Sequence, residues 1–389
     1  MKNYFLNIKN SFKLKHYINY FAIIAAFIIF TALHYAGVLN RSMPSLFNQI
    51  GYSIILAVSL NLVVGFLGEL SLGHAGFMCV GAYLGTFIAN SFLTAGMNTH
   101  LAIVISMLIG GIVAAGFGLL VGLPALRLRG DYLAIVTLAF GEIVRNICRN
   151  LPFFGGARGL ESKAYSAILI DPNAPPLFII TFVCLFVMLI LIQNLIRSKH
   201  GRAITAIRDN EIAAKSMGVN VTYYKLLVFV ISAFFAGAAG VIYGSSVSPV
   251  EYGNFNYNYS IEILVMVVLG GIGSINGSII AATVITVLNF YLKAYLTGDM
   301  AAVKTLVYAL ILIVMIIYKN APALKNFREK YNLKNLWKKM LRLKHDPAEV
   351  KDDEAHWDVV PTKIEMNEVL STDIVVTESV TSPDKEDKT

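Results

Sequence analysis

Hydrophobic residues over positions 17–319 come in continuous runs, and the polar residues collect between those runs. Runs without period-two alternation read as helix, and about 20 apolar residues are enough to cross a bilayer core. Backbone groups in lipid must be bonded internally, which leaves helices or a closed barrel, and unbroken runs select helices. The pattern predicts ten segments, over 18–38, 46–66, 72–90, 101–123, 132–150, 177–197, 224–247, 258–273, 275–294 and 300–319. The expected fold is therefore an all-α polytopic membrane protein of eight to ten transmembrane or re-entrant helices. The main polar interruption is the basic loop Arg197–Lys225, which contains GRAITAIRDNEIAAKSMG from Gly201 to Gly218. A chain dissolved in lipid has few places to meet a soluble partner, and this loop is the leading one.

Composition supports the class. Hydrophobic residues make up 56% of the chain and charged residues 14%, against about 25% charged in a soluble domain. Lysine and arginine then set orientation. Lys2, Lys9, Lys13 and Lys15, then Arg127 and Arg129, then the central loop, then Lys319 to Lys339 fall on one side if ten spans exist. Both termini and the loop are expected in the cytoplasm. The awkward segment is 145–176, placed outside with Arg149, Arg158 and Lys163. The chain divides into a basic arm (1–16), a membrane domain (17–319), a basic juxtamembrane segment (320–345) and a tail (346–389). From Asp346 onward there are 13 acidic residues and 4 lysines, a composition expected to stay disordered.

Two stretches, GFLGELSLGHAG (Gly65–Gly76) and LGGIGSINGS (Leu269–Ser278), gather glycine with polar residues at membrane depth. Glycine is costly inside a helix, so Gly65, Gly68 and Gly73 in one half, and Gly270, Gly271, Gly273 and Gly277 in the other, predict helix breaks. Paired breaks suggest an internal pseudo-repeat and point to a transport path. Its candidate polar groups are Asn61, Ser71, His74, Ser274 and Asn276. Small residues four apart, as in Gly81/Gly85, Gly118/Gly122 and Ala236/Gly240/Gly244, read as close-packing faces. Glu142 and Arg145 can pair on one helix face, His74 reads as a hydrogen-bonded helix cap, and Glu69 as part of a cytoplasmic turn. Glu262 is a further ionisable residue at membrane depth. Cys79, Cys148 and Cys184 have no metal-ligand spacing and read as packing residues. The chain has no phosphate-binding G-x-x-x-x-G-K-[ST] motif, no metal cluster and no catalytic triad. It is expected not to be an enzyme, with no catalytic residues, metal or cofactor of its own and no nucleic-acid partner.

The central loop resembles the cytoplasmic coupling loop of ABC-importer permeases, with an Ala-Ala-x-x-x-Gly core at Ala213, Ala214 and Gly218 and Glu211 just before it. The glutamate stands one position further from the glycine than in the general motif, and no Ile-x-Leu-Pro ending follows. More specifically, the chain is similar to the branched-chain amino-acid permeases, of the second of the two types that such importers pair. That resemblance is carried by SLNLVVGFLGELSLGHAGFMCVGAY (Ser59–Tyr83), LRGDYLAIVTLAFGEIVRN (Leu128–Asn146), FGGARGL (Phe154–Leu160), the stretch Gly201–Gly240 and VLGGIGSINGS (Val268–Ser278). It implies a multi-pass protein of a bacterial-type cell membrane, surrounded by lipid and working by alternating access. It also implies a second homologous permease, two cytoplasmic subunits that bind the ATP, and an extracytoplasmic solute-binding protein. Arg202, Arg208 and Lys215 would ring the docking core with charge. The same family pattern includes urea and short-amide importers, and a stand-alone secondary transporter or channel is the rival class.

Overall fold

The computed structural model describes residues 30–31, 43–126, 128, 130–170, 176–295, 310 and 313. The chain divides into two units, Met1–Lys319 and Asn320–Thr389, and the second lies wholly outside the described residues. So do the arm 1–16, Arg127, Arg129, and the expected spans 18–38 and 300–319 apart from Phe30, Thr31, Leu310 and Ile313.

The described residues form helices joined by short turns, with one isolated bridge between Leu160 and Val250. Helix α1 (Met43–Asn61) runs on through a six-residue π turn, Leu62–Leu67. It is followed by α2 (His74–Thr94), α3 (Thr99–Ala125), α4 (Asp131–Asn150) and the short α5 (Lys163–Ile170). Next come α6 (Phe178–Arg197), α7 (Lys199–Asp209), α8 (Glu211–Ser216) and α9 (Val221–Gly244). Helices α10 (Tyr257–Gly270) and α11 (Ile275–Tyr295) complete the set.

Among the described residues, six helices are long and apolar enough to cross a membrane: α1 with its π turn, α2, α3, α6, α9 and α11. The expected segment 132–150 does form a helix, but α4 does not join these six. Glu142, Arg145 and Arg149 lower its hydropathy, and it is amphipathic. Leu133, Val144 and Cys148 are buried, while Tyr132, Ile135 and Ile143 are exposed. Helix α10 has 14 residues, about 21 Å at 1.5 Å per residue, short of a hydrocarbon core of about 30 Å.

Helix α1 is central, with 89% of its apolar window buried against 33% for α3 and 28% for α11. It packs against α6, α9 and α11, while α9 lies along both α2 and α3. Small residues set that closeness. A Cβ on Gly81 of α2 would overlap the Gly237 carbonyl of α9, and one on Gly240 would overlap the Met78 carbonyl. The four-residue spacing seen in the sequence is therefore a packing seam. Outward, α3 presents Leu108, Ile112 and Leu120, an apolar surface suited to lipid.

Within the expected outside segment 145–176, the described residues 151–163 pack at the ends of α2 and α4. Asn90 of α2 donates to the Glu161 carbonyl (2.7 Å), and Lys163 reaches Thr94 (3.0 Å). Leu160 and Val250 exchange backbone hydrogen bonds of 3.0 and 2.8 Å, tying this segment to the turn after α9. Arg149 stacks over the Tyr252 ring at 5.0 Å. The expected Glu142–Arg145 pair forms (2.5 Å), and Glu142 also accepts from the Tyr257 backbone N–H at the start of α10.

Candidate functional site

The helices are interrupted over 68–73 and 271–274, whereas Gly65 lies within the π turn, Gly270 ends α10 and Gly277 lies within α11; the two interruptions meet. The π turn ends at Gly68 (φ 81), and non-helical chain runs to His74. The second break lies between Gly270 and Ile275, with Gly271 and Gly273 at positive φ. Asn61, fully buried, joins them: its Oδ1 accepts from Gly273 N–H (2.9 Å) and its Nδ2 donates to Ser278 Oγ (2.9 Å). A Cβ on Gly65 would overlap the Gly273 backbone, so this meeting requires glycine. A buried amide that makes two directed hydrogen bonds fixes the register of the two segments.

The polar loop forms α7 and α8, each begun by a side-chain cap. Ser198 accepts from His200 and Gly201 N–H, Asn210 accepts from Ala213 N–H, and Asn220 accepts from Tyr223 N–H to open α9. Ala214 is buried, whereas Ala213, Lys215, Gly218 and Arg202 are exposed. Gly218 closes the loop at φ 81, with open space where a side chain would stand. Ile212 is 72% exposed and Met217 85%, giving a polar loop two apolar knobs that charge patterning did not single out.

Two cations tie this loop to the breaks. Arg208, expected as rim charge, lies across Gly68 and donates from Nη1 to the Gly65 carbonyl (3.1 Å). Gly65 lies in the last turn before the break, where carbonyls lack an intrahelical partner, and the guanidinium supplies a donor. Arg208 also holds Asp209 at 3.0 Å. Lys225, in the first turns of α9, is 3% exposed and lies 2.5 Å from Glu69 and 3.1 Å from Glu211. Sequence reasoning placed Glu69 in a turn and Glu211 beside the docking core, but it gave Lys225 no role. The available signal was a lysine inside an otherwise apolar span, since a charge at that depth needs a partner.

The other path candidates sit at the two breaks, two at each. Ser274 and Asn276 are exposed at the second break, and Ser274 Oγ accepts from Gly277 N–H. Ser71 is buried beside the first break. His74 is buried and hydrogen-bonded, with its ring nitrogen 2.9 Å from Ser59 Oγ, a bond to α1. Toward the start of α1, Tyr52, Ser53, Tyr243, Glu262, Thr286 and Asn289 take part in lining a separate cavity of about 110 Å³. None of Asn61, Ser71, His74, Ser274 and Asn276 lines it.

Apolar helices around a central helix, with two glycine breaks reached by a polar loop, define a multi-pass membrane transport protein. Comparison narrows this class. The chain belongs to the family described as "Branched-chain amino acid transport system / permease component", which matches residues 42–317. That family comprises transport permeases and is not a class of enzymes. The chain is 36% identical over 309 residues to the high-affinity branched-chain amino acid transport system permease protein LivM of Escherichia coli (strain K12), covering 72% of this chain and 70% of that relative. It is 27% identical over 275 residues to a probable branched-chain amino acid transport permease protein LivM of Methanocaldococcus jannaschii, covering 63% and 79%. To LivH of Escherichia coli (strain K12), also a high-affinity permease of branched-chain amino acid transport, it is 25% identical over 282 residues, covering 68% and 88%. The chain is a multi-pass inner-membrane permease.

Proposed function

We propose that this chain is the membrane-spanning subunit of an ATP-driven importer of leucine, isoleucine and valine. It pairs with a second, homologous permease and couples through α7 and α8 to two cytoplasmic ATP-binding subunits, while an extracytoplasmic protein delivers the solute. In this arrangement the chain has eight to ten transmembrane or re-entrant helices, with both termini and the loop in the cytoplasm.

The observation that carries the reading is the double tie between the loop and the breaks. A displacement of α8 pulls Glu211, and through Lys225 it reaches Glu69 in the first break. A displacement of α7 moves Arg208, which grips the Gly65 carbonyl beside Gly273 in the second break. Helices that shift as rigid bodies transmit such a movement with little loss. Outward, Ile212 and Met217 offer apolar anchors, and Arg202 and Lys215 supply charge for steering a soluble partner. The solute class is supported by the names of the relatives.

The test is to purify the chain with its partners and measure ATP hydrolysis as each solute is supplied with its binding protein. Leucine, isoleucine and valine should stimulate hydrolysis and urea should not. Stimulation by urea or short amides alone would move the chain to that cargo. Uptake that continues after the ATPase phosphate-binding motif is disabled would point to a secondary transporter or channel.

A further inference from the structure

Helix α4 stands beside the first half of α2. A Cβ on Gly73 would overlap the Thr137 carbonyl, and one on Gly76 would overlap the Gly141 Cα. Asn150 follows Gly141 by nine residues, about 13 Å at 1.5 Å per residue. The turn after α4 then meets α2 midway along its length, where the Tyr83 and Phe154 ring centroids lie 5.3 Å apart. Because α2 is one of the six apolar spans, the end of α4 and the turn Pro152–Phe154 lie within the membrane. Non-helical backbone at that depth is tolerated only where protein or water covers it. The face that α4 turns away from α2 suits neither lipid nor water. Asn146, Arg149 and Asn150 are exposed, and such groups are costly against lipid. Tyr132, Ile135, Ile143, Ile147 and Phe153 are exposed as well, an apolar surface that water does not favour. Among them, Ile143, Asn146, Ile147, Asn150 and Leu151 line a groove of about 420 Å³.

We propose that this outward face of α4 is the surface on which the second, homologous permease packs. The inference rests on the importer reading above. Large apolar side chains interleaved with tyrosine, arginine and asparagine are what the core of a protein interface carries. Depth selects the partner. The ATP-binding subunits lie in the cytoplasm and the solute-binding protein outside, so of the partners in that reading the second permease alone reaches the middle of α2. The groove receives a side chain of that permease, and the amides beside it offer hydrogen bonds that lipid cannot answer. Helix α10 widens the surface: Glu142 of α4 accepts from its Tyr257 N–H (3.1 Å), and Tyr257 and Ile261 are exposed. By contrast, Leu108, Ile112 and Leu120 give α3 an apolar face suited to lipid.

The experiment uses the full transporter in proteoliposomes. Ile147→Cys in this chain is paired with single cysteines at successive positions along the membrane helices of the second permease, and copper phenanthroline oxidises the thiols. The native cysteines described, Cys79, Cys148 and Cys184, are buried, and the wild-type chain gives the background. Ile147→Cys should form a covalent heterodimer band with at least one partner helix, and Ile112→Cys on α3 should form none. A nitroxide at the same two positions gives a second reading. Oxygen dissolved in the lipid should reach position 112, and its effect should be lost at position 147, which a water-soluble nickel complex should not reach either. If Ile147→Cys fails to assemble, Ile143→Cys replaces it in the same groove. No heterodimer band, or a band between two copies of this chain, would overturn the interface. So would a nitroxide at 147 that oxygen reaches as readily as at 112, or that the nickel complex reaches. Asn146→Trp fills the groove and should reduce the second permease recovered with the chain; unchanged recovery would also overturn it. A wild-type chain recovered without any second permease would sink the importer reading. A second permease that copurifies and cross-links only through other helices overturns this face alone.

Discussion

Replacing Lys225 by methionine tests the tie between the loop and the membrane core. Methionine keeps most of the buried volume and removes the cation. Lys225 is 3% exposed, Glu69 13% and Glu211 33%, so removal leaves two carboxylates facing each other in a largely dry site. Their oxygens lie no more than about 6 Å apart, and at an effective dielectric constant of about 20 they repel by roughly 3 kcal/mol. Glu211 is a third exposed, so solvent screens part of that repulsion. Breaking a buried pair from one side costs about 3–5 kcal/mol in proteins generally. A net loss of about 3 kcal/mol is expected, which lowers the thermal midpoint of the purified complex by roughly 3–5 °C. The exposures also set an order: Lys225→Met should cost more than Glu69→Gln, and Glu69→Gln more than Glu211→Gln. The triple variant that combines Lys225→Met, Glu69→Gln and Glu211→Gln carries no unpaired charge and should regain most of the lost stability. Leucine uptake in that triple variant should stay low while ATP hydrolysis continues, because the loop has lost its grip on the first break. A Lys225→Met complex with wild-type midpoint and wild-type uptake would refute the reasoning.

Three further outcomes are expected. Gly218→Trp should insert normally and lose ATP-driven uptake, because the added ring stands on the open docking surface, whereas Gly218→Asn should transport, since asparagine tolerates positive φ; a membrane-fraction blot with an uptake assay separates the two. Gly65→Leu should reduce folded yield in size-exclusion profiles, because even a Cβ overlaps Asn61 and Gly273, while Gly116→Ala, which meets nothing within 4 Å, should be neutral or stabilise by roughly 0.5–1 kcal/mol. Deleting residues 346–389 should leave uptake intact in the same proteoliposomes.

Much of the candidate site is visible along the chain, and much is not. The breaks at Gly68–Gly73 and Gly271–Ser274 are local events, since glycine and polar residues weaken a helix wherever they cluster. The Ser198, Asn210 and Asn220 caps are equally local. Arg208 and Lys215 look equivalent in the sequence and both are exposed, yet Arg208 reaches across Gly68 to a backbone carbonyl. Helix α4 shows the converse limit: periodic apolar residues made it a helix, but its charged positions set it apart from the six apolar spans.

The class of protein, the extent of most described helices, the places where two of them break and the family pattern can all be read along the chain. Those properties follow from hydropathy and backbone preference summed over short windows. Tertiary structure decided which breaks meet, which cations hold them and where a cavity opens. The contacts responsible join residues 143 apart for Arg208 and Gly65, 156 apart for Lys225 and Glu69, and 217 apart for Asn61 and Ser278. No local pattern encodes such pairs, because each depends on how the rigid helices between them pack.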